Sequence, residues 1–489
     1  MSEKKTHSVK YNFIMNSILK MSSFIFPLIT FPYVTRVLGA KGIGQVNFAS
    51  AFVGYFSMAA MLGIPTYGIR VCAQCRDNRE KLSRTVQELL IISSITTVIA
   101  YIVMAILVFE IPTLQGRTAI IYLSSTMILL TTIGMEWFYQ AVEEYGYITY
   151  RNLAFKALSV ILMFLFIHQR EDYILYAGVN VVGTVGSNIL NFIRIRKYII
   201  CKPVRPYDFR RHLKPIMVFF MFSVATTIYT SLDTVMLGFM TNDVQTGYYA
   251  AATKMKNLLV SLVTALGTVL LPRASYYIEN DMKEEFRRII KKAFQFVIVS
   301  ALPLTVFCMF EAKDTIGFLA GSGFLKATPA MIIITPTIFF IGLSNITGMQ
   351  ILIPLGLEAC TVLSTVAGAI VDLILNVIFI PKIGAAGAAL GTAVAEAVVL
   401  LVQILQMKMK NKLHYVKVNW KDAGKVVLAL IFASAGLIAI KMLVGAHGYF
   451  LNLLISACIF FGIYGILLLI TKEELIVQIF EQFKKRSPL

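Results

Sequence analysis

Long apolar segments dominate this sequence and restrict the folds open to it. Residues 86–109, 360–381 and 449–471 each match the length of about 20 residues that a helix needs to cross a bilayer core. Backbone N–H and C=O groups find no water in lipid, so such segments must form helices or closed barrels. Hydrophobic residues make up 57% of the chain and charged residues 15%, against about 25% charged residues in soluble domains. The sequence therefore predicts an all-α polytopic membrane protein with about 14 transmembrane helices.

The order of these segments predicts two lobes and a C-terminal pair. An N-lobe of six helices covers residues 1–200, a C-lobe of six helices covers 201–412, and two helices with a cytoplasmic tail cover 413–489. Gly39 and Gly44 follow the first segment as Gly238 and Gly247 follow the seventh, which indicates repeated halves with a site at their interface. Prolines are expected to permit bends in the first and tenth helices: Pro27, Pro32, Pro329, Pro336 and Pro354.

The distribution of lysine and arginine between the loops predicts the orientation of the chain in the membrane. Most of the 45 basic residues fall in the loops of the side that carries both termini, so the positive-inside rule places both termini in the cytoplasm. The net charge of +19 then reflects loops next to anionic headgroups, and no nucleic-acid partner is needed to explain it. The start of the chain lacks the pattern of a removable signal peptide. Cys72 and Cys75 have ligand-like spacing, but no second pair accompanies them, so no metal site is expected.

Several charged residues lie inside predicted spans. Asp233 and Lys254 occupy the seventh and eighth, Lys20 the first, and Asp372 and Glu396 the eleventh and twelfth. Lys156 and Lys256 also fall within spans. Intramembrane charges are costly, so they mark a pathway or a binding cavity by default. A structural ion pair between Asp233 and Lys254 is the alternative for those two residues.

Polar residues recur at helical spacing around these charges. The first span carries Lys20, Ser23, Pro27 and Thr30 on one face, and the eighth carries Lys254, Asn257 and Ser261. Unpaired polar groups facing lipid cost several kcal/mol each, so such faces should line a hydrated cavity or join helices. The small-residue run 384–391 on the twelfth span favours close helix packing instead.

The order and spacing of several motifs resemble one transporter family. The motifs lie at 31–48, 63–77, 137–152, 229–254 and 270–273, and again from Ile380 to Glu396. Together they resemble bacterial polysaccharide-repeat flippases of the multidrug/oligosaccharidyl-lipid/polysaccharide exporter superfamily. The similarity covers roughly the first 280 residues and resumes at Ile380. Each motif alone is weak, and the persuasive feature is their order.

The resemblance implies a V-shaped bundle of two six-helix lobes plus two helices around a central cavity, in the bacterial cytoplasmic membrane. The implied activity is translocation of an undecaprenyl-pyrophosphate-linked oligosaccharide from the inner to the outer leaflet by alternating access, for O-antigen, capsule or exopolysaccharide assembly. Membrane lipids and polysaccharide polymerase machinery are the implied partners. No catalysis and no cofactor are expected, and the coupling ion, H⁺ or Na⁺, stays open.

Candidate residues follow from this chemistry. Pyrophosphate needs fixed cations, and sugar hydroxyls need amide and hydroxyl groups. The expected cavity residues are Lys20, Lys254, Asp233, Arg36, Asn257, Tyr229 and Asn47. Arg70 and Arg151 are expected at a cytoplasmic gate or as membrane anchors, and Asp372 and Glu396 are expected to couple an ion or to serve as counter-ions. Arg36 has an alternative role as a cap on the end of its own helix.

Other function classes remain open. A multidrug-cation antiporter of the same superfamily would share the helix count, although intramembrane lysines argue against cationic substrates. A flippase for a lipid-linked peptidoglycan precursor is closer in mechanism. A membrane glycosyltransferase or polymerase would normally carry a large loop with clustered acids or histidines, and the loops here are short and basic.

Overall fold

The fold is built from helices. The computed structural model describes residues 8–416, 419–443 and 448–477, and within these ranges it contains helices and no strand. Residues 478–489 of the predicted cytoplasmic tail lie outside the described residues. The predicted all-α polytopic class is confirmed.

The chain divides into two compact units, one ending at Gly247 and the other beginning at Tyr248. The predicted lobe boundaries, 200/201 and 412/413, stay predictions. A compact unit is defined by its internal contacts, whereas a lobe is defined by moving as one body during transport.

The N-terminal unit contains nine main helices in its described part. They are α1 (Val9–Met61), α2 (Ile64–Cys75), α3 (Arg79–Glu110), α4 (Thr118–Gly134), α5 (Glu136–Ala141), α6 (Tyr145–Phe166), α7 (Tyr173–Val181), α8 (Asn188–Arg194) and α9 (Arg210–Met240). A π-helical turn, Val182–Gly186, joins α7 to α8.

The C-terminal unit holds most of α10 and eight further main helices among the described residues. They are α10 (Asp243–Glu279), α11 (Lys283–Phe310), α12 (Ala312–Ala320), α13 (Thr328–Ile334), α14 (Thr337–Asn345), α15 (Glu358–Ile383), α16 (Ala385–Met409), α17 (Trp420–Leu443) and α18 (Tyr449–Ile470). A second π-helical turn, Ile346–Leu352, follows α14.

Gly39 divides the long helix α1. A straight helix of its 53 residues would extend about 80 Å, more than twice the ~30 Å hydrocarbon core. Gly39 has φ 66°, a left-handed conformation that glycine adopts without steric cost. The two helical parts correspond to the first two predicted spans.

The number of membrane-spanning helices agrees broadly with the sequence. Among the described residues, 11 helices are long and apolar enough to cross a membrane, or up to 13 when each of two bent pairs counts as one span. The first of the 11 runs over Tyr11–Cys75 and contains the break at Gly39. The predicted number of about fourteen transmembrane helices therefore stays a prediction.

Two spans are bent. The tenth predicted span bends by 41° between Ser322–Ile334 and Thr337–Leu352, with Pro336 in the break, as its prolines predicted. A second bend, of 53°, separates Arg210–Met221 from Thr226–Met240. Ser223 Oγ lies in that second break and donates to Phe219 O at 3.1 Å, a back-bonding arrangement that often bends helices.

The repeated glycines of the two predicted halves contact each other. A Cβ built on Gly44 would lie 1.7 Å from Asp243 O, and one built on Gly247 would lie 2.0 Å from Ala40 O. The second part of α1 and the start of α10 therefore cross backbone to backbone. Arg117 stabilises this crossing by pairing with Asp243 at 2.6 Å and by placing its guanidinium 4.3 Å from the centre of the Phe48 ring.

Glu88 organises the end of the N-terminal unit at which α2, α3 and α9 meet. This carboxylate is fully buried on α3 and receives four donors from α3, α9 and the segment before α9. The donors are Arg84 Nε at 3.1 Å, Asp208 N at 2.6 Å, Arg211 Nη2 at 2.5 Å and His212 Nε2 at 2.7 Å. His212 Nδ1 lies 2.8 Å from Tyr67 Oη, which extends the network to α2.

The small-residue run predicted to pack helices does so. A Cβ on Gly387 would lie 2.5 Å from Phe379 O, so α16 rests directly on the backbone of α15. Gly384 separates these two helices with φ 56°.

The C-terminal pair packs on α11. Tyr464 Oη of α18 donates to Val299 O at 2.8 Å, and Gln295 Nε2 lies 3.2 Å from Asp422 Oδ2 of α17. Beyond α18, Lys291 Nζ pairs with Glu474 at 2.9 Å, and this hydrogen bond lowers the pKa of the Glu474 carboxyl.

We expect Gly44→Ala to reduce the thermal stability of the purified protein, because the added methyl group meets the carbonyl of Asp243. Gly54→Ala is the matched control, since Gly54 lies on the same helix and a Cβ there would meet nothing within 4 Å. The measurement is the unfolding midpoint in detergent. Equal midpoints for both variants would contradict the described crossing.

We expect Glu88→Gln to destabilise the protein by about 1.5–3 kcal/mol, because this buried carboxylate loses the charge that strengthens its hydrogen bonds from Arg84, Arg211 and His212. Glu143→Gln is the matched control: its partner Arg76 lies 2.7 Å away, but both side chains are more than one-third exposed. Exposed pairs contribute ~0–1 kcal/mol. Denaturation of both variants in the same detergent checks this difference, and a loss no larger for Glu88→Gln than for the control would rule it out.

Candidate functional site

A half-open cavity of about 200 Å³, lined by apolar and polar side chains, lies in the N-terminal unit. It is bordered by the first part of α1, by α6, by α7 and by the π-helical turn. Its polar lining consists of Ser23, Thr30, Lys156, Ser159, Tyr176, Asn180 and Thr184. Ser23 and Thr30 belong to the polar face predicted on the first span, together with Pro27, which also lines the cavity. We call this space the Lys156 cavity.

Lys156 is the cationic group of this cavity. It lies in the middle of the span Tyr145–Phe166, where a charge is furthest from water. Its Nζ donates to Ser22 Oγ at 2.8 Å and to Ser23 Oγ at 2.9 Å. Both acceptors are neutral hydroxyls on α1, so the ammonium links α6 to α1 without a carboxylate in either contact.

Lys20 lies one turn from the same cavity. It precedes Ser23 by three residues, or about 4.5 Å along the helix axis, and its side chain is exposed. Within the described part of the chain it forms no ion pair. The structure therefore brings two lysines to one polar face of α1.

Arg36 and Asn47 contact their own helix. Arg36 is exposed, and its Nη1 donates to Pro32 O at 2.5 Å, which favours the alternative role as a helix cap. Asn47 Nδ2 donates to Ile43 O at 2.8 Å. Their predicted contacts with a substrate stay predictions.

Arg151 is buried, whereas Arg70 is exposed. Arg151 Nη2 pairs with Glu136 at 2.9 Å, and its Nη1 donates to Ser187 O at 3.2 Å and to Asn188 Oδ1 at 3.1 Å. These contacts join α6 to α5 and to the start of α8, so Arg151 is a structural link. The gating roles predicted for both arginines stay predictions.

The residues of the motif at 229–254 fall in different units. Asp233 is 7% exposed on α9, and Tyr229 is half-buried one turn before it. Lys254 is half-buried on α10 and Asn257 is exposed one turn further along. Asp233 belongs to the N-terminal unit and Lys254 to the C-terminal unit, so their pairing stays a prediction.

A second polar cluster lies inside the C-terminal unit, where α15 and α16 pack together. Asp372 and Asn376 are buried on α15, and Glu396 is buried on α16. A Cβ on Gly391 would lie 2.5 Å from Asn376 Oδ1 and 2.8 Å from Asp372 Oδ1, so glycine leaves room for both side chains. Asp372 and Asn376, four residues apart on α15, therefore both face α16 at Gly391. Thr392 follows Gly391, and its Oγ1 lies 2.9 Å from Tyr249 Oη.

Sequence reasoning missed two features of these units. Lys156 was recognised as intramembrane but received no role, although its mid-span position was a sufficient signal. The Glu88 network was missed because Arg211 and His212 lie more than 100 residues from Glu88 in the sequence and meet it only in the fold. Among the residues that the structure describes, no group of three His, Cys, Asp or Glu side chains is arranged to hold a metal ion.

Solved structures show the same fold. The lipid II flippase MurJ, in an inward closed conformation, superposes with a TM-score of 0.74 at 18% identity, over 95% of this chain and 100% of that one. An inward-facing multidrug resistance MATE family transporter of the MOP superfamily superposes with a TM-score of 0.63 at 15% identity, over 82% of this chain and 99% of that one.

Two curated relatives are named as a transporter and a flippase. A putative O-antigen transporter of Escherichia coli (strain K12) is 22% identical over 349 residues, covering 71% of this chain and 84% of the relative. A probable low-salt glycan biosynthesis flippase of Haloferax volcanii is 24% identical over 243 residues, covering 48% of this chain and 51% of the relative.

A family model described as polysaccharide biosynthesis protein matches residues 9–278. This range agrees with the first 280 residues or so in which the motifs resembled the polysaccharide-repeat flippases. The match covers more than half of the chain, and the MurJ-like and MATE-like fold agrees with it. The chain therefore belongs to the polysaccharide biosynthesis protein family.

Proposed function

We propose that this protein is a flippase that moves an undecaprenyl-pyrophosphate-linked oligosaccharide repeat unit from the inner to the outer leaflet by alternating access. The product would serve O-antigen, capsule or exopolysaccharide assembly, with polymerase machinery as a partner. The observation that carries the proposal is a cavity that contains Lys156 and several hydroxyl and amide groups in the middle of otherwise apolar spans. Family membership and the names of the curated relatives support it.

The substrate's chemistry fits the side chains available. Pyrophosphate carries several negative oxygens, for which Lys20 and Lys254 are the proposed ligands through charge-assisted hydrogen bonds. Hydroxyl and amide groups such as Asn257 suit the sugars. The lipid tail stays in the bilayer and needs no polar site. We place the protein in the bacterial cytoplasmic membrane with both termini in the cytoplasm, and we assign it no catalytic step.

Ion coupling is proposed for the polar cluster of the C-terminal unit. Asp372, Asn376 and Glu396 are buried there within membrane spans, where acids commonly belong to proton or ion pathways. Either H⁺ or Na⁺ suits carboxylate and amide oxygens.

A flippase of the lipid-linked peptidoglycan precursor is the second candidate, favoured by the fold likeness to MurJ. The two functions share the lipid and the pyrophosphate and differ in the sugar. Depletion discriminates between them: wall failure and loss of viability indicate the peptidoglycan precursor, whereas loss of surface polymer alone indicates the repeat unit.

We expect Lys20→Gln and Lys254→Gln each to reduce polymer export by about tenfold or more, because a lost charge-assisted hydrogen bond is worth ~1.5–3 kcal/mol. The measurement is surface polymer in a strain lacking its own repeat-unit flippase, at equal membrane levels of each variant. Lys256→Gln is the matched control, since Lys256 lies in the same helix on a different face from Lys254. Full export by both test variants would refute the assignment of these lysines.

A further inference from the structure

We propose that the Lys156 cavity binds a single phosphate group, with the Lys156 ammonium as its cationic ligand. This inference rests on the proposed function, in which the phosphate belongs to the lipid-linked diphosphate. It adds a binding site within the N-terminal unit to the lysines already considered.

The charge of Lys156 has no carboxylate partner in the described residues. An ammonium group has three N–H donors, and the hydroxyls of Ser22 and Ser23 account for two of them. Glu136 acts on Lys156 electrostatically, but its carboxylate already pairs with Arg151 at 2.9 Å. A cation at mid-membrane is costly without a counter-charge. An anionic ligand in the cavity supplies that counter-charge through the third donor.

The size of the cavity selects a small ligand. Its volume of about 200 Å³ is below the ~300–1,000 Å³ typical of sites that enclose a drug-sized molecule. One phosphate group is small enough to fit this space. The cavity lies at the middle of the span, a depth that a phosphate attached to a lipid must pass when it moves between leaflets.

The lining provides few donors besides Lys156. Ser159 Oγ donates to Lys156 O at 2.7 Å, and Thr184 Oγ1 donates to Asn180 O at 2.7 Å, so both hydroxyl hydrogens are engaged within their own helices. The remaining uncharged donors in the lining are the hydroxyls of Thr30 and Tyr176 and the side-chain amide of Asn180, of which the last two hydrogen-bond each other. One ammonium and these few uncharged groups match the needs of a single phosphate group.

The local backbone is shaped for this site. The π-helical turn Val182–Gly186 brings the chain so close to α6 that a Cβ on Gly183 would lie 2.7 Å from Ser159 Oγ. Single π-helical turns within helices are frequent at functional sites. Here Gly183 and Thr184 of the turn line the cavity.

The test uses the full-length protein in phosphatidylcholine nanodiscs, with undecaprenyl pyrophosphate as the probe and uncharged undecaprenol as its control. Bound lipid is quantified by native mass spectrometry. The wild type should bind the pyrophosphate at least about tenfold more tightly than the alcohol, and Lys156→Gln should reduce this preference severalfold, with Lys20 and Lys254 still present. Lys156→Arg should retain most of it because the charge is kept, and Lys256→Gln should match the wild type.

Inorganic phosphate is added as a competitor to identify the source of the ligand. Competition indicates that free phosphate also enters the cavity, and its failure to compete indicates that only a lipid-borne phosphate reaches Lys156. Both results support a phosphate site.

An unchanged preference in Lys156→Gln overturns the inference. If that variant yields no folded protein, equal binding of pyrophosphate and undecaprenol by the wild type overturns it instead. Polymer export by the wild type is measured in parallel. If the wild type exports polymer normally and Lys156→Gln binds as the wild type does, this inference alone is refuted. If the wild type exports no polymer, the proposed function is refuted.

Discussion

The hydrocarbon interior offers no hydrogen-bond partner, and the structure of this protein depends on that constraint. Backbone groups must be paired within each crossing segment, which dictates an all-helical fold. The same constraint acts on side chains, because a polar group inside the membrane must be paired or face a cavity. Glu88 and Arg151 are paired with several partners each, whereas Lys156 bonds only neutral hydroxyls. This contrast separates groups that hold the fold from a group available to a ligand.

Each unit combines a close backbone contact with an adjacent polar group. In the N-terminal unit, Gly44 and Gly247 permit the crossing that Arg117 and Asp243 stabilise. In the C-terminal unit, Gly391 leaves room for Asp372 and Asn376 between α15 and α16. Small residues in membrane helices allow such close approach. The glycines thus determine which polar groups meet, and a methyl group at these positions would separate them.

Much of the fold was predictable because apolar length and the spacing of polar residues are local properties. The helical class, the bend at Pro336 and the polar face carrying Ser23 and Thr30 follow from such patterns. The sequence showed Gly44 and Gly247 as corresponding positions of a repeat. It did not show that they contact each other, because that contact depends on how distant helices cross. The partners of Glu88 and Arg151 were hidden for the same reason. Lys156 gained a candidate role only when α1, α6 and α7 were seen to enclose a cavity.

Transfer of the substrate across a bilayer tests the central claim most directly. Purified protein is reconstituted into liposomes that carry a fluorescent undecaprenyl-pyrophosphate-linked oligosaccharide, and the label exposed on each leaflet is followed with a membrane-impermeant quencher. The account predicts that the protein speeds exchange between leaflets well above the rate in protein-free liposomes. The control conditions are folded protein in both orientations and both H⁺ and Na⁺ gradients. Exchange at the protein-free rate under these conditions would contradict the account.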